Sequence, residues 1–270
     1  LPVTNSLSIS LSGKGTETTL KCSSEKEDRI LLNGKEISND TAFAKRLIAF
    51  INLFRMTDTK LEIQTRNNIP TAAGLASSAS GFAALTMALN DLYDWQLDKK
   101  SLSILARLGS GSACRSIYSG FVEWQAGEKP DGSDSFAVPL NIDWPELHIG
   151  FIVLSSKTKA ISSREAMLQT VNTSPAYQQW PEIVAHDLIT LKTALTQKNF
   201  NVLGETAEQN AIAMHNTMHQ AIPSIHYDLV ESTAIKHTVQ TLRKRGLPVY
   251  FTQDAGPNIK LLFLKEDENN

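Results

Sequence analysis

The chain has 270 residues, 41% hydrophobic and 20% charged, with a net charge of −2. That is an ordinary globular composition, long enough to bury one large core or two smaller ones, and its charge balance offers nothing to nucleic acid or an anionic membrane. No apolar run approaches the roughly 20 residues that span a bilayer, and the two cysteines, Cys22 and Cys114, are too far apart in sequence to suggest a zinc pattern or disulfide framework.

The opening shows no signal-peptide pattern, and sparse cysteine usage predicts a reduced, cytoplasmic setting. The chain starts at Leu1 inside a strand approach and ends in KEDENN directly after a strong strand. Both features predict further residues at one or both ends.

The first elements read as short strands. In SLSISLS, Leu7, Ile9 and Leu11 alternate with serines, the period of a half-buried strand. TTLKC and RILLNG are expected to pair with each other around the polar turn SSEKED. Phe43, Leu47, Phe50 and Phe54 recur at helical spacing and predict a helix over 41–55. KLEIQTR alternates again. Leu75, Phe82, Leu85, Leu89 and Leu92 line one face of a second helix. A third helix near 99–108 stops at Gly109, and GFVEWQAG reads as a strand.

The pattern restarts near Trp144. LHIGFIVLSS reads as a buried strand, followed by SSREAM, two or three helices across 181–245, and strands VYFTQ and NIKLLFL flanking DAGPN. The chain therefore divides into 1–143 and 144–270. Both parts mix strands with helices, and the second reads as an α+β sandwich with helices on one sheet face.

The stretch PTAAGLASSASGFAAL, from Pro70, concentrates small and hydroxyl residues where a helix begins. A helix N-terminus carries unpaired N–H groups and partial positive charge, so anions bind there. Gly74 lets a ligand approach the backbone closely, and Ser77 and Ser78 add hydroxyls able to reach phosphate or a metal ion. It is neither a Walker A loop nor a Rossmann fingerprint. On composition alone, a turn that packs small residues closely against a helix fits equally well.

That stretch resembles the phosphate-binding motif of the GHMP kinase superfamily, in the form found in mevalonate diphosphate decarboxylases. GSGSACRSIYSGFVEW at 109–124, SSREAMLQTVNTSP at 162–175 and YFTQDAGPN at 250–258 resemble further motifs of that family, in family order. The resemblance covers most of the chain. It implies a GHMP kinase-like α+β fold of two domains: an N-terminal α/β domain with a left-handed βαβ-type unit, and a C-terminal ferredoxin-like α+β sandwich, incomplete at its end. It also implies an upstream segment whose lysine and tyrosine help bind substrate.

The implied activity is ATP- and Mg²⁺-dependent conversion of mevalonate 5-diphosphate to isopentenyl diphosphate, ADP, phosphate and carbon dioxide, by a homodimer. The resemblance assigns the ATP phosphates to Gly74, Leu75, Ala76, Ser77 and Ser78. It makes Arg115 the clamp for the substrate carboxylate, a task that suits the two-point guanidinium fork. Ser110 and Ser112 flank Gly111 and would donate to substrate or phosphate oxygens, and Ser112 could at the same time cap a helix. Ser163 and Arg164 would hold the substrate diphosphate, with Met167 lining the same pocket. Asp254 would take the proton of the C3 hydroxyl or orient it, and its charge would favour positive charge at C3. By local chemistry alone Asp254 is equally a turn residue before Gly-Pro-Asn.

Other features read plainly. Cys114 is expected to pack beside the site. His215 and His219 stand four apart on a helix, where packing is a commoner use than metal binding, and no HExxH arrangement occurs. The metal ligands of the nucleotide site are not legible. Related enzymes that phosphorylate C3 of mevalonate or decarboxylate its monophosphate, or a catalytically silent binding module on the same fold, are the alternatives.

Overall fold

A computed structural model describes residues 1–68, 77–155 and 161–268, with Ser77 as backbone only. Two compact units emerge, the first running essentially from Ser6 to Asn141 and the second from Ile142.

The first unit carries two sheets. Strand β1 (Ser6–Ile9) pairs antiparallel with β6 (Phe121–Trp124), which pairs with β7 (Ala137–Pro139). A four-stranded sheet has the order β2 (Thr16–Ser23), β5 (Lys60–Asn67), β3 (Arg29–Leu32), β4 (Lys35–Ile37). TTLKC and RILLNG therefore do not pair, contrary to the sequence expectation. β5 lies between them, antiparallel to β2 and parallel to β3.

Asp28 supplies the physical reason. Its carboxylate accepts from the Leu61 N–H at 2.8 Å and from Arg55 at 2.6 Å, fastening the entry of β3 to the start of β5. Leu61, Ile63 and Thr65 alternate into the core from β5. β3 turns into β4 through Asn33 (φ 51°) and Gly34 (φ 80°). Two left-handed residues are what a two-residue hairpin of matching twist requires.

Helix α1 (Ala42–Asn52) is capped by Thr41, whose hydroxyl accepts from the Ala44 N–H at 3.2 Å. Leu47 and Phe50 point into the core, but Phe43, expected on the same face, is exposed. Helices α2 (Ser77–Leu92) and α3 (Lys99–Gly109) complete the layer. Phe82, Leu85 and Leu89 of α2 meet Phe50, Ile63 and Leu102 in one cluster. Phe50 and Phe82 contact edge to face at 5.1 Å.

In the second unit, strands β8 (Leu147–Ile152), β10 (Ile259–Leu264) and β9 (Tyr250–Thr252) form an antiparallel sheet in that order. β8 borders it and is half-exposed rather than buried, with Phe151 facing solvent. Helices α4 (Ser163–Thr173), α5 (Trp180–Gln197), α6 (Phe200–His219) and α7 (Val230–Lys244) accompany the sheet. Val239 of α7 packs on Val249, Phe251 and Ile259. Buried Glu208 of α6 grips Arg243 of α7 with two hydrogen bonds, 2.8 and 3.0 Å, fastening these consecutive helices to each other.

Candidate active site

Sequence-predicted residues fall in both units. In the first, Gly74, Leu75 and Ala76 lie outside the described residues, as does the side chain of Ser77. Ser77 opens α2, and Ser78 follows in its exposed first turn. The Ser78 hydroxyl stands 3.4 Å from that of Ser110, at the end of α3. The structure thus brings together two hydroxyls that sequence motifs placed separately. Two residues further, the Ser80 hydroxyl contacts Thr16 of β2 at 2.8 Å, fixing the start of α2 to the sheet.

The approach of α3 to α2 depends on Gly109. A Cβ there would lie 2.1 Å from the Phe82 ring. Arg46 of α1 donates to the Gly109 carbonyl at 2.7 Å and lies over the same ring. The sequence offered no signal for this arginine, because a surface position on α1 looks like any solvated cation.

After Ser110 the chain winds into a tight 3-10 stretch, Gly111–Ile117, which holds Ser112 and Arg115. Ser110 occupies the capping position and Ser112 lies inside the turn, so helix capping by Ser112 is not realised. Cys114 is fully buried against Val122 and Ala137, and burial pushes its thiol up to about 12. The buried Ser103 hydroxyl donates to the Cys114 carbonyl at 3.0 Å and accepts from the Ala137 N–H at 2.8 Å. With this stretch tied to α3 and β7, Arg115 has a fixed base. Its guanidinium donates to the Ser6 hydroxyl of β1 and lies 5.8 Å from the Trp124 ring centre. Ser6 and Ser103, which the sequence did not single out, fasten Arg115 and its segment.

In the second unit, Ser163, Arg164 and Met167 occupy the start of α4. A capping box closes that end: the Ser162 hydroxyl accepts from the Glu165 N–H, and the Glu165 carboxylate accepts from the Ser162 N–H. These bonds hold the Glu165 carboxyl below the usual range. Ala166 and Thr170 face inward while Arg164 and Met167 face solvent. The first turn therefore presents an exposed cation, Arg164, on a positive helix end.

Asp254 sits in the loop between β9 and β10. Its carboxylate, two-thirds exposed, pairs with the Lys260 ammonium, whose side chain is nearly buried. The loop around it is held from several directions. Gln253 donates to the Asp228 carboxylate at 2.7 Å and to the Gly256 carbonyl at 2.8 Å. Ser232 donates to the Pro257 carbonyl at 2.9 Å. The Asn258 side chain accepts from the Leu154 and Ser155 N–H groups at 2.7 and 3.0 Å. His215 lies 3.2 Å from the Asp254 carbonyl through Nε2, and burial brings its pKa down to about 4, so the ring is neutral. The turn is rigid while one carboxylate stays accessible, an arrangement suited to acting on a bound hydroxyl.

Two family descriptions match the chain over most of its length. The diphosphomevalonate decarboxylase-like N-terminal domain matches residues 1–137, and the mevalonate 5-diphosphate decarboxylase C-terminal domain matches residues 149–270. A diphosphomevalonate decarboxylase of Aspergillus fumigatus is 37% identical over 291 residues, covering 99% of this chain and 72% of its own. The crystal structure of mevalonate diphosphate decarboxylase from Staphylococcus aureus superposes with a TM-score of 0.92 at 40% identity, covering 99% of this chain and 81% of that one. A second solved relative, MDDEF in complex with MVAPP, AMPPCP and magnesium, has a TM-score of 0.91 at 42% identity, with 99% and 82% covered.

Proposed function

The chain belongs to the mevalonate diphosphate decarboxylase family, and from that membership we propose how its own residues divide the family's reaction. That reaction is the ATP-dependent decarboxylation of mevalonate 5-diphosphate to isopentenyl diphosphate, with release of ADP, phosphate and carbon dioxide. ATP and Mg²⁺ are the nucleotide and ion it uses.

In the first unit, the ATP phosphates lie against the N-terminus of α2. Its first N–H groups supply donors, and the family resemblance assigns Gly74, Leu75, Ala76, Ser77 and Ser78 to the same phosphates. The paired hydroxyls of Ser78 and Ser110 are hard oxygen donors, the type Mg²⁺ accepts, and would hold the ion. Bound Mg²⁺ supplies neutralisation of charge on the transferring phosphoryl group. Arg115 takes the substrate carboxylate through its two-point fork, and Ser112 donates to substrate oxygens. A tight grip on the carboxylate alone would oppose loss of carbon dioxide. The contribution of Arg115 is therefore orientation, aligning the breaking C–C bond with the departing phosphate. The contact with Ser6 and the Trp124 ring supports that role by limiting where the guanidinium can point.

In the second unit, Ser163 and Arg164 anchor the substrate diphosphate at the start of α4, and Met167 lines that pocket. Asp254 receives or orients the C3 hydroxyl proton as the oxygen takes the γ-phosphoryl group of ATP. The C–C bond to the carboxylate then breaks, its electron pair forms the new double bond, and phosphate leaves C3. The negative charge of Asp254 favours the positive charge that grows at C3 in this step.

The observation that carries the proposal is Asp254 itself: an accessible carboxylate on an otherwise fastened loop, paired with Lys260. We place the enzyme in the cytoplasm as a homodimer. The unpaired thiols of Cys22 and Cys114 suit a reducing compartment, and the family resemblance supports the dimer. No helix among the described residues is long and apolar enough to cross a membrane.

The test is a coupled assay of purified protein with ATP, Mg²⁺ and, separately, mevalonate, its 5-phosphate and its 5-diphosphate. Equal release of ADP and carbon dioxide with the diphosphate is expected. ADP without carbon dioxide would indicate a kinase, and turnover of the monophosphate alone would move the substrate assignment.

A further inference from the structure

We propose that His215, His219 and Asp228 form a binding site for one divalent transition-metal ion of the zinc type, separate from the Mg²⁺ used with ATP. The two histidines stand four residues apart near the C-terminal end of α6, so the helix sets both rings on one face. Asp228 comes from the segment that leads into α7. One ligand atom from each of the three residues lies within 4.8 Å of the other two. Tetrahedral zinc with bonds near 2.0–2.1 Å sets its ligands about 3.3 Å apart, so modest side-chain rotation closes the cluster.

Hydrogen bonding shows why the cluster is unfinished without an ion. The Nε2 of His215 faces the Asp254 carbonyl at 3.2 Å. A carbonyl only accepts, so Nε2 carries the hydrogen and Nδ1 carries the lone pair. That Nδ1 is buried and has no partner among the described residues, in a residue only 4% exposed. The Nε2 of His219 is buried and unpartnered in the same way. Buried polar atoms are rarely left so, and here two of them belong to residues that share one prospective centre. The bond from His215 to a backbone carbonyl is also the outer contact that metal-bound imidazoles ordinarily make, fixing tautomer and ring angle.

Asp228 already serves two donors. Lys236 reaches its two oxygens at 3.0 and 2.8 Å, and Gln253 reaches Oδ1 at 2.7 Å. A carboxylate offers about four lone-pair directions, and these bonds occupy three. The fourth, on Oδ2, remains for an ion. Two imidazoles and one carboxylate favour zinc, copper or nickel over Mg²⁺ or Ca²⁺, which prefer oxygen throughout. The nearby Lys236 ammonium lowers affinity without changing that preference.

The experiment is calorimetric titration of the chelator-stripped full chain with zinc chloride, with magnesium chloride alongside. Uptake of one zinc per chain is expected, with a rise in Tm that magnesium does not produce. His219→Ala should weaken zinc binding at least tenfold. His226→Ala should not, because His226 stacks on the His219 ring at 4.6 Å and turns its Nε2 to Ser224. If circular dichroism shows His219→Ala unfolded, His219→Gln is read in its place. Absence of stoichiometric zinc uptake by the wild type, or wild-type affinity in the folded His219 variant, would overturn the proposal.

Discussion

The hydroxyls of Ser78 and Ser110 meet at 3.4 Å across 32 residues of chain, joining the first turn of α2 to the residue that caps the end of α3. Each alone is a common helix-end serine. Together they place two hard oxygen donors at a helix N-terminus. Ser78→Ala and Ser110→Ala should each lower kcat/KM for ATP while leaving Tm nearly unchanged. A lost hydrogen bond to a charged group costs about 1.5–3 kcal/mol, or roughly ten- to a hundredfold. Steady-state kinetics at limiting ATP checks this, and wild-type values in both variants would remove the pair from the nucleotide site.

Arg115 and Ser6 give a graded pair. Arg115→Lys keeps the charge but loses the fork, so kcat should fall strongly while KM for ATP holds. Ser6→Ala removes only the contact that aims the guanidinium. A smaller fall in the same parameter, about tenfold, follows from losing one hydrogen bond to a charged group, about 1.5 kcal/mol at the lower end of its range. An unchanged kcat in Arg115→Lys would exclude a role in aligning the carboxylate.

Two glycines of the first unit should respond with opposite signs. Gly109→Ala drives a Cβ into the Phe82 ring, which lies within the core and cannot swing away. Overpacking of this kind costs about 1–3 kcal/mol. Gly81 of α2 has nothing among the described residues within 4 Å of an added Cβ. Gly81→Ala should therefore stabilise by about 0.5–1 kcal/mol, the helix-interior preference for alanine. Denaturant midpoints of the two variants decide the matter.

The two thiols should differ sharply in reactivity. Cys22 is exposed, whereas Cys114 is buried and its pKa stands near 12. At pH 8 the Cys114 thiol is protonated and shielded, and a thiol reacts through its thiolate. Brief iodoacetamide treatment followed by peptide mass spectrometry should find Cys22 alkylated and Cys114 intact until denaturant is added. Alkylation of Cys114 in the folded protein would contradict its placement between β6, β7 and the Arg115 segment.

Much of this arrangement was legible in residue patterns. The periodicity of Phe82, Leu85 and Leu89 gave the buried face of α2, and DAGPN between two apolar runs gave the Asp254 loop. Strand partnership was not legible, because TTLKC and RILLNG look like neighbours until β5, thirty residues on, takes the place between them. The Asn33-Gly34 pair was a hairpin signal that predicts β4 directly. Phe43 shows the limit of spacing, since helical period places a residue on a face but does not say how far the core extends along it. The residues that hold Arg115, its segment and Asp254 in place, namely Ser6, Ser103 and Lys260, carry no local signature. Their roles come from contacts with Arg115, Cys114 and Asp254, and for Ser6 that partner lies 109 residues away.

The central claim is that Asp254 acts on C3 of the substrate, and carbon dioxide release by purified Asp254→Asn tests it most directly. Asparagine keeps the size of the side chain and its capacity to bond within the turn. It cannot accept a proton as a carboxylate does, and it carries no charge to stabilise a cation at C3. General-base assistance is worth about 10²- to 10⁴-fold. The account predicts a folded variant that binds ATP and mevalonate 5-diphosphate but releases carbon dioxide slower by about that factor. Release at the wild-type rate would contradict it and leave Asp254 a turn residue paired with Lys260.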